Sequence, residues 1–212
     1  MLINVCAKNS NNSFNYYLMK KDIILAGVGG QGIISIAAII GYAALQEKMF
    51  LKQSEVHGMS QRGGDVMSNL RISHDEIASD LIPFGQADLI ISVEPLESLR
   101  YLAYLSPENG WLVTNTIPFN NIPNYPEMSK VLAEINKLPH HVALDADTLA
   151  KEAGSARSAN IVILGAASPF LGLAYEKFED AIRFTFRTKG DAVIEKNLKA
   201  LKLGREFADQ NI

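Results

Sequence analysis

Asp22-Ile23-Ile24-Leu25-Ala26-Gly27-Val28-Gly29-Gly30-Gln31-Gly32-Ile33 passes from an apolar run into a glycine loop and out into an Ala/Ile-rich segment. Ile23–Ala26 is continuous and β-branched at its start, as expected of a strand buried on both faces. Ile33–Gln46 carries almost no charge over a helical length, so it reads as a largely buried helix. Between them Gly27, Gly29 and Gly32 keep a G-x-G-x-x-G spacing, so the stretch is a strand–loop–helix unit. Glycines let such a turn be tight and let backbone N–H groups approach a diphosphate, and the helix N-terminus adds about half a positive charge.

Outward from this unit the chain alternates short β-branched runs with segments of helical period, the pattern of a mostly parallel sheet covered by helices on its faces. Residues Met49–Val56 and Asp65–Ile72 read as extended, with a loop over His57–Gly64. Ala87–Val93 is a central strand and Pro95–Leu105 the helix after it, with proline near the first helical position where its missing N–H costs nothing. Trp111–Asn115 is a strand, Ile117–Pro126 a proline- and asparagine-rich loop, and Glu127–Lys137 a helix. His141–Leu144 is a strand followed by Asp145 and Asp147, either of which can cap a helix running from Thr148 to before Gly154. An apolar stretch opens at Ile161 and continues to Leu173, and helices cover Glu176–Phe186 and Asp191–Asp209, the last with Val193, Leu198, Leu201 and Phe207 on its inner stripe. No composition break marks a linker, so residues 19–212 are expected to form one domain. Residues 1–18, polar and rich in asparagine, read as a disordered leader, with Met19 as the expected natural start.

Composition narrows the function classes. The chain has 212 residues, with 23 acidic and 20 basic side chains for a net charge of −3, and 48% of its residues are hydrophobic. That length buries a real core, and a slightly acidic chain lacks the basic excess that drives binding to nucleic acid. One cysteine, Cys6, cannot form an internal disulfide, hold a four-cysteine iron–sulfur cluster or build a zinc site by itself. No apolar run approaches the ~20 residues of a membrane-spanning helix. Neither a presequence nor a membrane segment is expected, which points to the cytoplasm.

Taken alone, the glycine loop leaves three readings open: NAD or FAD, another diphosphate-bearing ligand, or a purely structural turn. The acid that a dinucleotide site places about 20 residues on is poorly matched, since Glu47 comes too early and Glu55 lies at the far end of its strand. A second constellation, Glu55-Val56-His57-Gly58-Met59-Ser60-Gln61-Arg62-Gly63-Gly64, packs a carboxylate, an imidazole and a guanidinium into a glycine-rich loop. Arginine's planar fork suits a carboxylate or phosphate. It equally suits a salt bridge to Asp65 or Glu55.

The two motifs together resemble the gamma-type subunit of the 2-oxoacid:ferredoxin oxidoreductases. Gly27-Val28-Gly29-Gly30-Gln31-Gly32 is similar to that family's opening signature, and His57-Gly58-Met59-Ser60-Gln61-Arg62-Gly63-Gly64 to its second, in the form found in the indolepyruvate branch. Glu94-Pro95-Leu96-Glu97 with Arg100, and Asn160 to Ala166, match further. The resemblance implies a three-layer α/β/α fold with a central, largely parallel sheet. It implies a subunit, inactive alone, of an enzyme that oxidatively decarboxylates an aryl pyruvate to an aryl acyl-CoA and passes two electrons to ferredoxin. Thiamine diphosphate, magnesium and iron–sulfur clusters are then expected on a larger alpha-type partner subunit, with coenzyme A as co-substrate and ferredoxin reached through the partner. Under this reading Gly27, Gly29, Gly30, Gln31, Gly32 and Glu94 are the expected cofactor-binding residues, with no metal ligand in this chain. Glu55, His57, Gln61 and Arg62 are the interface candidates beside the partner's thiamine site. Glu94, at the carboxyl end of an apolar strand, is either a ligand contact or a helix cap. Asn115, Thr116 and Asn160 fit capping. A free-standing dinucleotide-binding protein and a non-catalytic scaffold are the alternatives.

Overall fold

Residues 19–57, 63–120 and 122–212 are described by the computed structural model. The opening apolar run extends to Lys20–Val28, β1, whose side chains alternate between two helical layers: Ile23 and Leu25 pack into one, Ile24 and Ala26 into the other. Burial on both faces explains why this strand shows no polar alternation. It is followed by α1 (Ile33–Gln46), β2 (Phe50–His57), β3 (Asp65–Ser73) and β4 (Leu89–Ser92). Next come α2 (Pro95–Arg100), β5 (Trp111–Asn115), α3 (Met128–Ile135), β6 (His141–Leu144) and α4 (Ala146–Glu152). Three helices close the chain: α5 (Ala159–Ala167), α6 (Tyr175–Phe186) and α7 (Asp191–Asn211).

The six strands form one sheet in the order β2-β3-β1-β4-β5-β6. β1, β4, β5 and β6 pair in parallel, whereas β3 runs antiparallel to both β1 and β2. The sheet is therefore largely parallel, with β3 reversed. A parallel β2/β3 pair would need a crossover of a dozen or more residues, and only residues 58–64 lie between them.

The larger apolar layer joins α1, α4, α5, α6 and α7 to one face of the sheet, and the smaller joins α2 and α3 to the other. This is the expected three-layer α/β/α arrangement. α5 and α7 cross with backbones in contact: a Cβ on Gly165 would strike the Leu201 carbonyl, and one on Gly204 the Val162 carbonyl. The apolar stretch from Ile161 is thus a helix buried all round, continued by a 3-10 turn over Ser168–Phe170. Two expected boundaries shift. α2 ends at Arg100 because Tyr101 leaves helical geometry, and a 3-10 turn over Leu102–Tyr104 carries the chain to Leu105, which bridges Ala87. The buried stripe of α7 is Ile194, Asn197, Leu198, Ala200, Leu201, Gly204 and Ala208, while Val193 and Phe207 lie at its margin. No described helix is long and apolar enough to cross a membrane.

Candidate functional site

β1 connects through α1 toward one edge of the sheet and β4 connects through α2 on the opposite face toward the other edge. Adjacent parallel strands whose connections diverge leave a crevice at their carboxyl ends, where open α/β sheets bind ligands. Gly27–Gly32 and Val93–Glu94 meet there.

Gly27 has no room for a side chain, since a Cβ would strike Val93. Gln31 folds back over the loop: its Oε1 accepts the Val28 N–H at 2.7 Å and its Nε2 donates to the Val93 carbonyl at 3.5 Å. The side chain thus ties the end of β1 to the end of β4 across the crevice. Gly29 donates its N–H to the Gly64 carbonyl at 2.9 Å, continuing the β1/β3 ladder by one rung and joining the loop to the flank of the second motif. Gly32 caps α1 in the left-handed region (φ 85°), and its carbonyl accepts from Asn160 Nδ2 at 3.1 Å. Asn160 at the start of α5 is therefore fastened to the glycine loop. Gly30 differs from these: φ is 101° and nothing lies within 4 Å of where a Cβ would stand. Its N–H and those of Ile33 and Ile34 have no partner among the described residues and are open to a ligand, whereas Ser35 and Ile36 already donate to the Gly32 carbonyl.

Gly30 borders a cleft of about 520 Å³ walled by Gln31, Gly32 and Ser35 on one side and Arg157, Lys189 and Lys196 on the other. None of these three cations has a carboxylate partner among the described residues. A second lobe of about 460 Å³ shares Gly30, Gln31, Arg157 and Asn160 and adds Val93, Asn115, Phe119 and Ile163. The first lobe is thus cationic and suited to phosphates, whereas the second sets Val93, Phe119 and Ile163 beside the polar Asn115 and Asp147. Within it Asn115 is committed: Nδ2 donates to Asp147 at 2.9 Å, and Oδ1 accepts from the N–H groups of Ile117 and Ala146. Asp145 is the cap of α4, accepting the Thr148 N–H at 2.8 Å.

Glu94 sits at the crevice but is turned away from it. One carboxylate oxygen caps α2 by accepting the Glu97 N–H at 2.8 Å, and the other accepts the Phe119 N–H at 3.3 Å and the Tyr125 hydroxyl. Burial and this bond push the Tyr125 hydroxyl up from its ordinary value. Glu97 behind it is buried, which raises its carboxyl, while Arg100 at 2.8 Å pulls the other way. Tyr101 is pushed up to about 12 by burial and by the neighbouring Asp65, to which its hydroxyl reaches at 3.5 Å.

The structure therefore gathers Gly27, Gly29, Gly30, Gln31, Gly32 and Glu94 at one place and gives them different work. Glu55 is elsewhere. It pairs with Ser68 of β3, which pairs with Leu25 of β1, so it lies two strands, roughly 10 Å, from β1 and three rungs short of the crevice. Gln61, Arg62 and the His57 side chain fall outside the described residues. Arg157, Lys189, Lys196 and Ser35 carry no motif signal, because the first three reach the glycine loop only through the packing of α5 and α7. No cluster of three or more potential metal ligands occurs among the described residues.

A family model described as pyruvate ferredoxin/flavodoxin oxidoreductase matches residues 22–207. The chain is 36% identical over 195 residues to indolepyruvate oxidoreductase subunit IorB of Archaeoglobus fulgidus, covering 88% of this chain and 94% of that one. Among solved structures, the gamma subunit of a keto/oxoacid ferredoxin oxidoreductase from Geobacter sulfurreducens superposes with a TM-score of 0.65 at 26% identity, over 90% of this chain and 99% of that one. A 2-oxoglutarate:ferredoxin oxidoreductase from Magnetococcus marinus, solved with 2-oxoglutarate, coenzyme A and succinyl-CoA bound, shares the fold. It aligns with a TM-score of 0.70 at 22% identity, over 90% of this chain and 31% of that longer one.

Proposed function

The chain belongs to the pyruvate ferredoxin/flavodoxin oxidoreductase family as a small subunit of a 2-oxoacid oxidoreductase, and from that premise we propose that its enzyme acts on indolepyruvate or a related aryl pyruvate. The near full-length likeness to an indolepyruvate oxidoreductase subunit carries this reading. The reaction joins the acyl group of the 2-oxoacid to coenzyme A, releases carbon dioxide and delivers two electrons to ferredoxin. Thiamine diphosphate with magnesium, and the iron–sulfur clusters, reside on the larger subunit, where the thiazolium supplies the carbanion-stabilising chemistry.

This chain's part is to hold coenzyme A. Its phosphates lie in the cationic lobe, where Arg157, Lys189 and Lys196 neutralise them and the open N–H groups of Gly30, Ile33 and Ile34 donate to the diphosphate. The neighbouring lobe, where Val93, Phe119 and Ile163 stand beside Asn115 and Asp147, takes the uncharged arm of the molecule, in which amides alternate with methylenes. Glu55, His57, Gln61 and Arg62 face the partner. A dinucleotide is less well served, because the Gly29 N–H is spent on Gly64 and Gln31 closes the crevice between β1 and β4.

Anaerobic co-expression with the large subunit, followed by coenzyme A-dependent reduction of ferredoxin or a viologen dye, tests the reading. Activity is expected only with both chains and with a higher kcat/KM for indolepyruvate than for pyruvate. Equal preference for pyruvate overturns the substrate assignment. Failure of the two chains to co-purify overturns the subunit assignment for that pair.

A further inference from the structure

β2 is an edge of the sheet, and among the described residues nothing pairs with its outer side. It pairs with β3 without interruption from Phe50↔Ser73 to His57↔Val66, so there is no bulge, and it contains no proline. Natural edge strands are normally short, bulged, proline-bearing or guarded by outward charges, because an open row of N–H and C=O groups templates pairing with another chain. The one lysine in this strand is folded aside, its Nζ donating to the Ala78 carbonyl at 3.0 Å. Leu51 faces α1, where it packs against Gly41, so Phe50, Lys52, Ser54 and Val56 share the opposite face. On that face Phe50 is 50% and Val56 60% exposed, six residues apart at the two ends of the strand.

We propose that β2 pairs antiparallel with β2 of a second copy of this chain about a two-fold axis through Gln53, making one continuous sheet across two protomers. A two-fold perpendicular to the sheet keeps like faces together, so facing residues must have numbers of the same parity. Centred on Gln53, the pairing sets each Phe50 opposite the mate's Val56 and each Lys52 opposite Ser54. Both exposed apolar side chains are then covered by each other, twice. Shifting the axis to Lys52 sets Phe50 against Ser54, and shifting it to Ser54 sets Val56 against Lys52. Apolar matching on this face therefore selects the register. Leu45, one helical turn beyond the Gly41 that rests on Leu51, is 58% exposed along this margin and adds apolar surface on the other face.

The test is sedimentation of the purified full chain from 1 to 100 µM, alone and in complex with the large subunit. The wild-type chain is expected to be a dimer across most of that range. Val56→Glu and Phe50→Lys are each expected to give folded monomers with unchanged circular dichroism. The double variant Phe50→Lys/Val56→Glu restores opposite charges across the axis and is expected to dimerise again, with the dissociation constant now rising with salt. A wild-type monomer at 100 µM overturns the proposal, as does a dimer that both single variants leave intact, or single variants that dissociate without rescue by the double. None of these results depends on which 2-oxoacid the enzyme uses.

Discussion

Glu94 shows how a residue placed where ligands bind can be wholly occupied by the fold. Its carboxylate takes three donors from two segments, the first turn of α2 and the loop that brings the Phe119 backbone and the Tyr125 hydroxyl, all at a position 1% exposed. Replacing it by Gln leaves one acceptor oxygen and turns an amide N–H₂ toward a donor. Glu94→Gln is therefore expected to destabilise the protein by about 1–3 kcal/mol, the cost of leaving buried groups unsatisfied, read as a lower urea midpoint. Faster proteolysis within residues 117–126 should accompany it, since two of the three bonds anchor that loop. Glu97 carries a pH signature of its own. Burial raises its carboxyl above the ordinary value, with Arg100 opposing and Glu94 and Asp65 reinforcing. A folded-state pKa above the unfolded one means that this group's contribution is fully present below the unfolded value and is lost as pH rises through the folded one. Glu97→Gln should thus gain on the wild type as pH is raised from 4 to 8. Urea midpoints of the two proteins at both pH values check this, and a difference that does not move with pH would show that the carboxyl is not held up in the fold.

The first strand, its glycine loop and the helix after it were legible because each is written in local periodicity and in the spacing of Gly27, Gly29 and Gly32. The crevice was legible for the same reason, since the end of an apolar strand before Pro95 marks where β4 stops. Three things were not local. The direction of β3 follows from a connection too short to cross over. The roles of Gly29 and Gln31 depend on what Gly64 and Val93 offer across the sheet. Arg157, Lys189 and Lys196 come to Gly30 only because α5 and α7 pack where they do, and nothing in a run of exposed basic residues announces that. The α5/α7 crossing is itself set by two glycines whose surroundings look ordinary in sequence. Each of Gly165 and Gly204 lets its helix lie against the other's carbonyls, Leu201 and Val162, so neither backbone can yield to an added methyl group. Gly204→Ala, at a position where helix propensity alone favours alanine by about 1 kcal/mol, is expected instead to cost about 1–3 kcal/mol or more. Thermal or urea denaturation gives the sign directly, and an alanine variant more stable than wild type would mean the helices separate at little cost.

Across the whole molecule the net charge and the local field point in opposite directions. The chain is acidic overall, at −3, yet three cations with no carboxylate partner among the described residues converge on the cleft beside Gly30. Coenzyme A is a polyanion, so the sign of its salt dependence decides which field it feels. If the molecule's net charge dominated, added salt would screen repulsion and tighten binding. If the cleft dominates, salt screens attraction and weakens it: phosphates held there would lie within about one Debye length of the cations, ~8 Å at physiological ionic strength, and feel them above the more distant net charge. The geometry favours the second: the dissociation constant for coenzyme A, measured by calorimetry on the assembled complex, is expected to rise several-fold between 50 and 500 mM KCl. Arg157→Ala/Lys196→Ala should raise it about tenfold or more at low salt and flatten that slope, while leaving the thermal midpoint within a degree or two because both side chains are exposed. Gly30→Val separates the backbone contribution from the charges. A Cβ there meets nothing, but φ 101° strains any L side chain, so the thermal midpoint and assembly of the variant are read first; affinity lost with both retained would place the ligand on the loop, whereas weakened assembly with unchanged affinity would make the loop an interface instead.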